Sequence, residues 1–250
     1  MLGEATKVAP VFMQGGKEYV GLMELHGDVS ESELDQALKV FTGAIYQVPP
    51  IRAAVARKPR IREVYYFEML EREGRYVLFR LGCSAGTYVR KVCHDVGEYL
   101  GVGAHMEELR RTRAGPFEES TSYNLLTLQE AVTLYRESGD ESLLRKVVQP
   151  VENCLALVPK VYVLDTAVDA VCHGADLMAA GISMLDSDIE RQALVAVVTL
   201  KNEVVAIGRA VMNSQEMMEA TEGLAVDIER VIMRKSTYPS VWKGGLQHVH

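Results

Sequence analysis

The clearest pattern of apolar and polar positions lies between residues 74 and 101. Side chains first alternate, so that Val77, Phe79 and Leu81 fall on one face, which is the period of a β-strand. Beyond Gly86 the apolar residues recur at helical spacing, at Val89, Val92, Cys93, Val96 and Leu100, ahead of a terminating Gly101. The change of period predicts a strand that turns into a helix at residues 86–90.

Shorter patterns predict the rest of the chain as small strands and helices. Strands are predicted at residues 8–13, 18–25, 62–70, 75–83, 161–164, 194–200 and 204–211. Capping boxes at Ser30 with Glu33 and at Thr127 with Glu130 predict two helix starts, and Asp165 is predicted to cap a third helix. The character of the chain changes near residues 155–160, beyond which short strands with one early helix indicate a small β-barrel.

Composition is typical of a folded protein. Apolar residues make up 48% of the 250 residues and charged residues 24%. The longest apolar runs are strand-sized, and the first ten residues lack the basic and apolar regions of a signal peptide. We therefore expect a cytoplasmic protein with no membrane partner.

The cysteines offer little chemistry. Cys83, Cys93, Cys154 and Cys172 are scattered without a CxxC pair, so a zinc site built from them is not expected. Cys93 and His94 together resemble a nucleophilic dyad. Neighbouring residues of a helix point about 100° apart, however, so these two side chains do not face each other. Buried thiols are the preferred interpretation.

Basic residues are clustered although the chain as a whole is acidic. A formal net charge of −7 disfavours nucleic acid as a partner, yet local patches decide phosphate contacts. One basic stretch, residues 52–62, follows a Pro-Pro pair and is predicted as a loop or an edge strand. It would lie along an RNA backbone or form a solvated loop, and spacing alone leaves both interpretations open.

Arg90 occupies an unusual place. A cation in the first turn of a helix opposes the macrodipole, at a cost of about 0.3–1 kcal/mol. The free backbone N–H groups at the same end favour a bound anion. Arg90 is therefore a candidate ligand for a carboxylate or an RNA phosphate, the alternative being an ordinary surface arginine.

The stretch GTYVRKVCHDVG, residues 86–97, resembles a motif of the TruB-type pseudouridine synthases. Its Cys-His-Asp after the arginine is similar to the H/ACA branch of archaea and eukaryotes, the dyskerin family. Four more stretches resemble that family in the same order: KEYVGLMELHGD, PPIRAAVARKPRIREVYYFEML, AHMEELRRTRAGPF and KVYVLDTAVDAVCHGADLMAAGI. The resemblance covers residues 2 to about 243.

The resemblance implies an α+β fold with two domains. Residues 1–155 would form the mixed, largely antiparallel sheet of a pseudouridine synthase catalytic domain, and residues 156–243 a PUA domain, a small RNA-binding β-barrel. The implied activity is isomerisation of uridine to pseudouridine in rRNA guided by box H/ACA RNA, with uridine-55 of tRNA as a further target. Implied partners are the guide RNA, the target rRNA or tRNA and the H/ACA core proteins, and no metal or organic cofactor is implied.

The resemblance also assigns residue roles. Tyr19 would stack on the target base, although its spacing alone indicates a half-buried strand tyrosine. Arg90 would hold the catalytic aspartate, Tyr88 would line the same wall, and Leu109 would contact the uracil. The implied RNA-binding residues are Lys17, Arg52, Arg57, Lys58, Arg60, Arg110, Arg111, Arg113, Gly174 and Gly181.

One feature of the family is not found. Its catalytic aspartate lies in a GTLDP-like motif just upstream of a segment that LGEATKV, residues 2–8, matches. Asp28 and Asp95 do not stand in that context, so we expect the chain to be N-terminally incomplete and inactive as given. The alternatives are a non-catalytic scaffold that binds guide RNA and, from another class, a small-molecule enzyme that uses Cys93 and His94.

Overall fold

The computed structural model describes residues 1–49 and 58–240 and divides the chain into two compact units. One unit consists of residues 12–147, and the other joins residues 1–11 to the chain from residue 148 onward. Each unit combines helices with a six-stranded, mainly antiparallel sheet. The predicted α+β fold class is therefore confirmed.

The unit of residues 12–147 is built on a sheet in the order β2-β3-β4-β1-β5-β6, with every neighbouring pair antiparallel. Its strands are β1 (Lys17–Leu25), β2 (Gly43–Gln47), β3 (Arg60–Glu73), β4 (Tyr76–Cys83), β5 (Ala104–Ala114) and β6 (Phe117–Glu118). The helices in this part of the chain are α1 (Ala9–Gln14), α2 (Glu31–Val40), α3 (Val89–Tyr99), α4 (Leu125–Ser138) and α5 (Ser142–Val147).

The predicted change from strand to helix is confirmed. Val77, Phe79 and Leu81 of β4 are fully buried, as their alternation requires. Helix α3 buries Val89, Val92, Cys93 and Val96 of its predicted stripe against the same core, and Leu100 lies partly buried just beyond the helix. The helix ends two residues before Gly101, which has a φ of +71°. The apolar side of β4 and the apolar side of α3 are thus buried in a single core.

Of the two predicted capping boxes, one is present in the structure and the other is not. The Ser30–Glu33 capping box of α2 is confirmed. The second predicted box is wrong, because α4 begins three residues earlier: its N-cap is Asn124, which accepts a hydrogen bond from the backbone N–H of Thr127. An asparagine at this position satisfies the same orphan N–H groups as serine or threonine does.

The predicted strand at residues 8–13 is also wrong. A 3-10 helix, Gly3–Val8, runs directly into α1 there. Pro10 lies in the first turn of α1, where its missing N–H costs nothing. Val8 is fully buried among Leu155, Val198 and other residues of the second unit, so tertiary burial accounts for the apolar run.

The second unit contains a sheet in the order β8-β12-β11-β10-β7-β9, in which only the pair of β7 and β10 is parallel. Its elements are β7 (Lys160–Val163), α6 (Asp165–Cys172), β8 (Leu177–Met178), β9 (Ile182–Leu185), β10 (Leu194–Thr199), β11 (Val204–Ala210), α7 (Ser214–Glu219) and β12 (Leu224–Val231). The predicted hairpin of β10 and β11 is confirmed. Leu164 rather than Asp165 occupies the N-cap of α6.

Within the ranges 1–49 and 58–240, no helix is both long and apolar enough to cross a membrane.

Candidate active site

The central strand β1 brings three of the predicted site residues together with Cys83. Strand register places Tyr19 opposite Arg111 of β5 and Lys17 opposite Cys83 of β4. Two residues further along β1, Gly21 lies opposite Leu109. Because residues two apart on a strand share a face, Tyr19, Arg111 and Leu109 lie on one side of the sheet.

Electrostatics link the groups around Tyr19. Burial raises the pKa of the Tyr19 hydroxyl, and Cys83 raises it further, whereas Arg111 lowers it. Burial, followed by repulsion from Arg111, lowers the pKa of Lys17. Burial also raises the pKa of the Cys83 thiol. The surroundings thus favour the neutral forms of the phenol and the thiol, and two basic side chains, Lys17 and Arg111, lie beside them.

The Lys17 ammonium is already hydrogen-bonded within the fold. It donates to the carbonyl oxygens of Met13 at 2.5 Å and Gly15 at 2.6 Å. The next carbonyl, that of Gly16, accepts from the backbone N–H of Gly115 at 2.8 Å. Lys17 therefore holds the turn that leads into β1, so that any contact it makes with RNA is additional to this role.

Leu109 depends on Gly21 for its position. A Cβ on Gly21 would lie 2.4 Å from the ring of Phe79 and 3.0 Å from a methyl group of Leu109. The absence of a side chain at residue 21 lets both apolar groups close over β1. Leu109 nevertheless keeps 38% of its surface exposed, and it is available as an apolar wall beside Tyr19.

The start of α3 is held by a residue that sequence reasoning missed. Gln47, only 2% exposed, accepts from the N–H of Tyr88 at 3.0 Å and donates to the Tyr88 carbonyl at 3.2 Å. Tyr88 is the N-cap residue of α3. The sequence signal that could have identified Gln47 is a polar residue at the end of an otherwise alternating strand, shortly before Pro49.

We expect Gln47→Leu to destabilise the protein by about 1–3 kcal/mol, because the Tyr88 N–H would lose its hydrogen-bond partner, whereas the Tyr88 carbonyl keeps the backbone N–H groups of Lys91 and Val92. Urea unfolding measures the change. Gln36→Leu, at an exposed glutamine of α2, is the matched control and should stay within about 0.5 kcal/mol of the parent protein. Equal stability of the two variants would contradict the role of Gln47.

Arg90 lies where the sequence predicted it, in the first turn of α3. Its side chain is exposed and has no hydrogen bond or ion pair with any residue of 1–49 and 58–240. The neighbouring Lys91 pairs with Asp95 one turn later. Asp95 is therefore engaged by a different cation, and the Arg90 guanidinium at the helix N-terminus has no partner among the residues that the structure describes.

The three arginines of β5 have different surroundings. Arg111 lies beside Tyr19 and Lys17. Arg110 donates to the Glu119 carboxylate at 2.8 Å. Arg113 donates to the Tyr66 hydroxyl at 3.4 Å, and this hydrogen bond raises its pKa. Only Arg111 faces the predicted base-binding side of the sheet.

The Tyr66 hydroxyl belongs to a network that also fixes the one carboxylate next to Tyr19 in sequence. Glu18 accepts from Tyr66 at 2.5 Å and from Thr112 at 2.7 Å, and these hydrogen bonds lower its pKa. Since adjacent strand residues point to opposite faces, Glu18 lies on the other side of the sheet from Tyr19. It is not placed to act on a base held by Tyr19.

The basic stretch before β3 is described only in part. Arg52 and Arg57 lie outside the described residues. Lys58 and Arg60 are exposed, and Arg60 opens β3 opposite Gln47. From Arg60 onward the stretch lies between β2 and β4 in the sheet, so the edge-strand interpretation is wrong for this portion.

The Cys93–His94 dyad does not form. Cys93 is fully buried, and burial raises its pKa to about 12. His94 is exposed, with its ring nitrogen 3.5 Å from Asp95. The interpretation of Cys93 as a buried thiol is confirmed, and thiolate chemistry at this position is disfavoured.

In the second unit the two predicted glycines have clear backbone roles. Gly174 follows α6 with a φ of +91°, which favours glycine. A Cβ on Gly181 would lie 3.1 Å from side-chain atoms of both Ala167 and Leu177. Beside α6 an open cleft of about 610 Å³ is lined by Thr166, Asp169, Ala170, His173, Ser236, Tyr238, Pro239 and Ser240.

Three protein-family models together match most of the chain. Residues 1–89 match the TruB family pseudouridylate synthase N-terminal domain, and residues 90–156 match the tRNA pseudouridylate synthase B C-terminal domain. Residues 159–232 match the PUA domain. These matches, with the mixed sheet and the smaller second unit, define an RNA-modifying enzyme with a separate RNA-binding module.

The curated relatives of this chain carry the names of pseudouridine synthases as well. A probable tRNA pseudouridine synthase B of Pyrococcus furiosus is 52% identical over 245 residues, which is 97% of this chain and 72% of the relative. That of Archaeoglobus fulgidus is 47% identical over 239 residues, covering 96% of this chain and 74% of the relative. The chain belongs to the TruB family of pseudouridine synthases.

Solved structures match the fold closely. A Cbf5–Nop10–Gar1 complex contains a chain with a TM-score of 0.91 and 52% identity, covering 95% of this chain and 73% of that one. An H/ACA RNP bound to a substrate RNA containing 2′-deoxyuridine gives a TM-score of 0.88 at 50% identity, covering 96% and 73%. The N-terminal family match begins at residue 1, so the expected N-terminal incompleteness is not confirmed and stays a prediction.

Proposed function

We propose that this pseudouridine synthase acts in a guide-RNA complex and isomerises uridines of rRNA selected by box H/ACA RNA, with uridine-55 of tRNA as a further target. Its similarity to chains from a Cbf5–Nop10–Gar1 complex and from an H/ACA RNP supports this proposal. Its partners would be the guide RNA, the target RNA and the H/ACA core proteins, and its place of action the cytoplasm.

The reaction breaks the N1–C1′ bond of uridine and rejoins the ribose to C5, so that the product is an isomer of the substrate. The base must leave its stack before the bond is accessible, at a cost of a few kcal/mol. Stacking on the Tyr19 ring offsets this cost by about 1–3 kcal/mol. Leu109 supplies an apolar surface beside the ring, and Tyr88 lines the start of α3.

The proposed chemistry depends on the position of Arg90. An exposed arginine in the first turn of α3, without a partner among the described residues, is unfavourable unless an anion docks against it. We assign that anion to the catalytic aspartate of the family's GTLDP-like motif, which is not recognisable in the 250 residues. An arginine favours the ionised form of such a carboxylate and fixes its orientation with two parallel hydrogen bonds.

The remaining assignments concern RNA. We propose a catalytic domain of residues 1–155 and a PUA domain of residues 156–243 that holds the guide RNA near Gly174 and Gly181. The cleft beside α6 supports this assignment, because His173 lines it directly before Gly174. Phosphate contacts would come from Lys17, Arg52, Arg57, Lys58, Arg60, Arg110, Arg111 and Arg113.

We expect the 250-residue chain, assembled with guide RNA and core proteins, to form no pseudouridine above background, because no GTLDP-like motif is recognisable in it to supply the carboxylate that we assign to Arg90. A matched protein extended at its N-terminus by a family segment with the GTLDP-like motif should convert the guided uridine. Pseudouridine is measured at the guided rRNA position and, without guide, at uridine-55 of tRNA.

Three other outcomes would change the proposal. Conversion by the 250-residue chain would place the nucleophile within it. An extended protein that binds guide RNA tightly but remains inactive would favour the non-catalytic scaffold. Conversion of tRNA alone would remove the guide RNA from the proposal while leaving the enzyme class intact.

A further inference from the structure

A cluster of histidine and glutamate side chains lies at the far end of β1 from Tyr19. Glu24 pairs with His105 across β1 and β5, and Glu107 follows two residues later on β5. Five residues separate Glu24 from Tyr19, a distance of about 17 Å at ~3.4 Å per strand residue. The cluster is therefore distinct from the candidate active site.

The ligand atoms of this cluster converge. One atom each from Glu24, His105 and Glu107 lies within 4.8 Å of the other two. The Nε2 of His105 is 2.5 Å from Glu107 Oε1 and 3.8 Å from Glu24 Oε2. Ligands about 2.1 Å from a shared tetrahedral ion lie about 3.4 Å apart, so small side-chain movements suffice to admit an ion.

His26 lies next to the cluster and hydrogen-bonds with His105. Its Nε2 lies 2.7 Å from Nδ1 of His105, which is the ring nitrogen that faces away from the carboxylates. Histidines that bind metals usually hydrogen-bond through the second nitrogen in this way, which fixes the tautomer and the ring direction. Gly103 makes room for His26, since a Cβ there would lie 2.9 Å from the His26 Nδ1.

The backbone and the surrounding charges favour an ion at this position. A register shift in the β1–β5 pair between Leu22 and Met23 leaves Glu107 without a partner in the ladder. The nearby Arg75 donates to Asp28 at 2.9 Å and also attracts the Glu24 carboxylate, which has no hydrogen bond to any residue in the described part of the chain. Two carboxylates and an imidazole that converge on one point form a donor set suited to a divalent transition ion.

We propose that Glu24, His105 and Glu107 bind a divalent first-row transition ion of the zinc type, with His26 positioning His105. Imidazole selects ions of this kind over Mg²⁺, which prefers oxygen ligands alone. The ion would join β1 to β5 where the bulge weakens their ladder. Its role is structural, because it lies remote from the wall formed by Tyr19 and Leu109.

Titration of the protein with ZnCl₂ by calorimetry tests the site. The sequence also contains His248 and His250, so the parent for this experiment is the full chain with His248→Gln and His250→Gln. We expect one saturable Zn²⁺ site and a rise in the melting temperature on binding. MgCl₂ at the same concentration should produce neither effect.

Substitutions distinguish the residues that bind Zn²⁺ from histidines that do not bind it directly. We expect His105→Gln to abolish saturable Zn²⁺ binding, and His26→Ala to weaken it about 10–100-fold, as loss of a positioning partner does. His94→Gln, at an exposed histidine of α3, should bind Zn²⁺ as the parent does. Without metal the three variants should melt close to the parent, which distinguishes lost binding from lost folding.

Two results would overturn the site. The first is the absence of saturable Zn²⁺ binding in the parent, which would leave His105 and Glu107 as an ordinary hydrogen-bonded pair. The second is Zn²⁺ binding by His105→Gln with the affinity of the parent. Because neither measurement uses RNA or turnover, the result is independent of the proposed guided activity.

Discussion

Arg90→Ala should lower the single-turnover rate of pseudouridine formation at least about 100-fold, which is the typical effect of removing one preorganised charge partner from a reaction centre. The measurement uses the N-terminally extended, active protein with guide RNA. Affinity for the RNA should change little, because one phosphate contact among many contributes a small part of binding. The expectation follows from an exposed guanidinium in the first turn of α3 that pairs with no residue in the described part of the chain.

Arg90→Lys should restore little of the rate, since lysine lacks the planar pair of donors that holds a carboxylate at two points. Arg136→Ala, at an exposed arginine of α4, is the matched control and should leave both rate and affinity unchanged. If Arg90 contacts only phosphate, Arg90→Ala will instead lower the affinity and its salt dependence together, with a normal rate at saturating RNA. That outcome would exclude the carboxylate partner.

The largest expected effect on stability is at Gly97. This buried residue of α3 packs so closely on the start of β5 that an added Cβ would lie 2.0 Å from the backbone nitrogen of Ala104 and 2.4 Å from the carbonyl carbon of Gly103. Neither backbone atom can move aside as a flexible side chain can. We expect Gly97→Ala to destabilise the protein by about 3 kcal/mol or more.

The sign of this change is informative. Helix propensity alone would make Gly→Ala stabilising by about 1 kcal/mol, so that destabilisation must come from the contact with β5. Urea unfolding followed by circular dichroism measures the difference. Glu98→Ala, at the exposed neighbouring residue, should stay within about 0.5 kcal/mol of the parent protein. A neutral or stabilising Gly97→Ala would show that α3 is not held against β5 as described.

The elements best predicted from sequence were those whose signals are local. The alternation of β4, the helical spacing of α3 and the capping box of α2 each depend on residues a few positions apart. The run at residues 8–13 lacked such a signal, because a short apolar stretch is compatible with a strand or a buried helix. Burial of Val8 within the second unit decided between them.

The residues of the candidate site were proposed from sequence, and their arrangement was found only in the structure. Resemblance to the family identified Tyr19, Arg90 and Leu109, whose roles stay predictions. It could not distinguish Arg111, which lies beside Tyr19, from Arg110, which pairs with Glu119. A bulge or a one-residue change of register reverses the face on which a strand residue lies, and register is a property of the paired strands.

The amino-acid sequence by itself determined elements such as β4, α3 and the start of α2, and it indicated the family, because their periodicity, cap and motifs lie in neighbouring residues. Only the tertiary structure decided which distant side chains meet. Gln47 holds Tyr88 across 41 residues, and His26 meets His105 across 79. Such contacts arise from strand order and register, which the burial of whole faces sets cooperatively and which no short stretch of sequence contains.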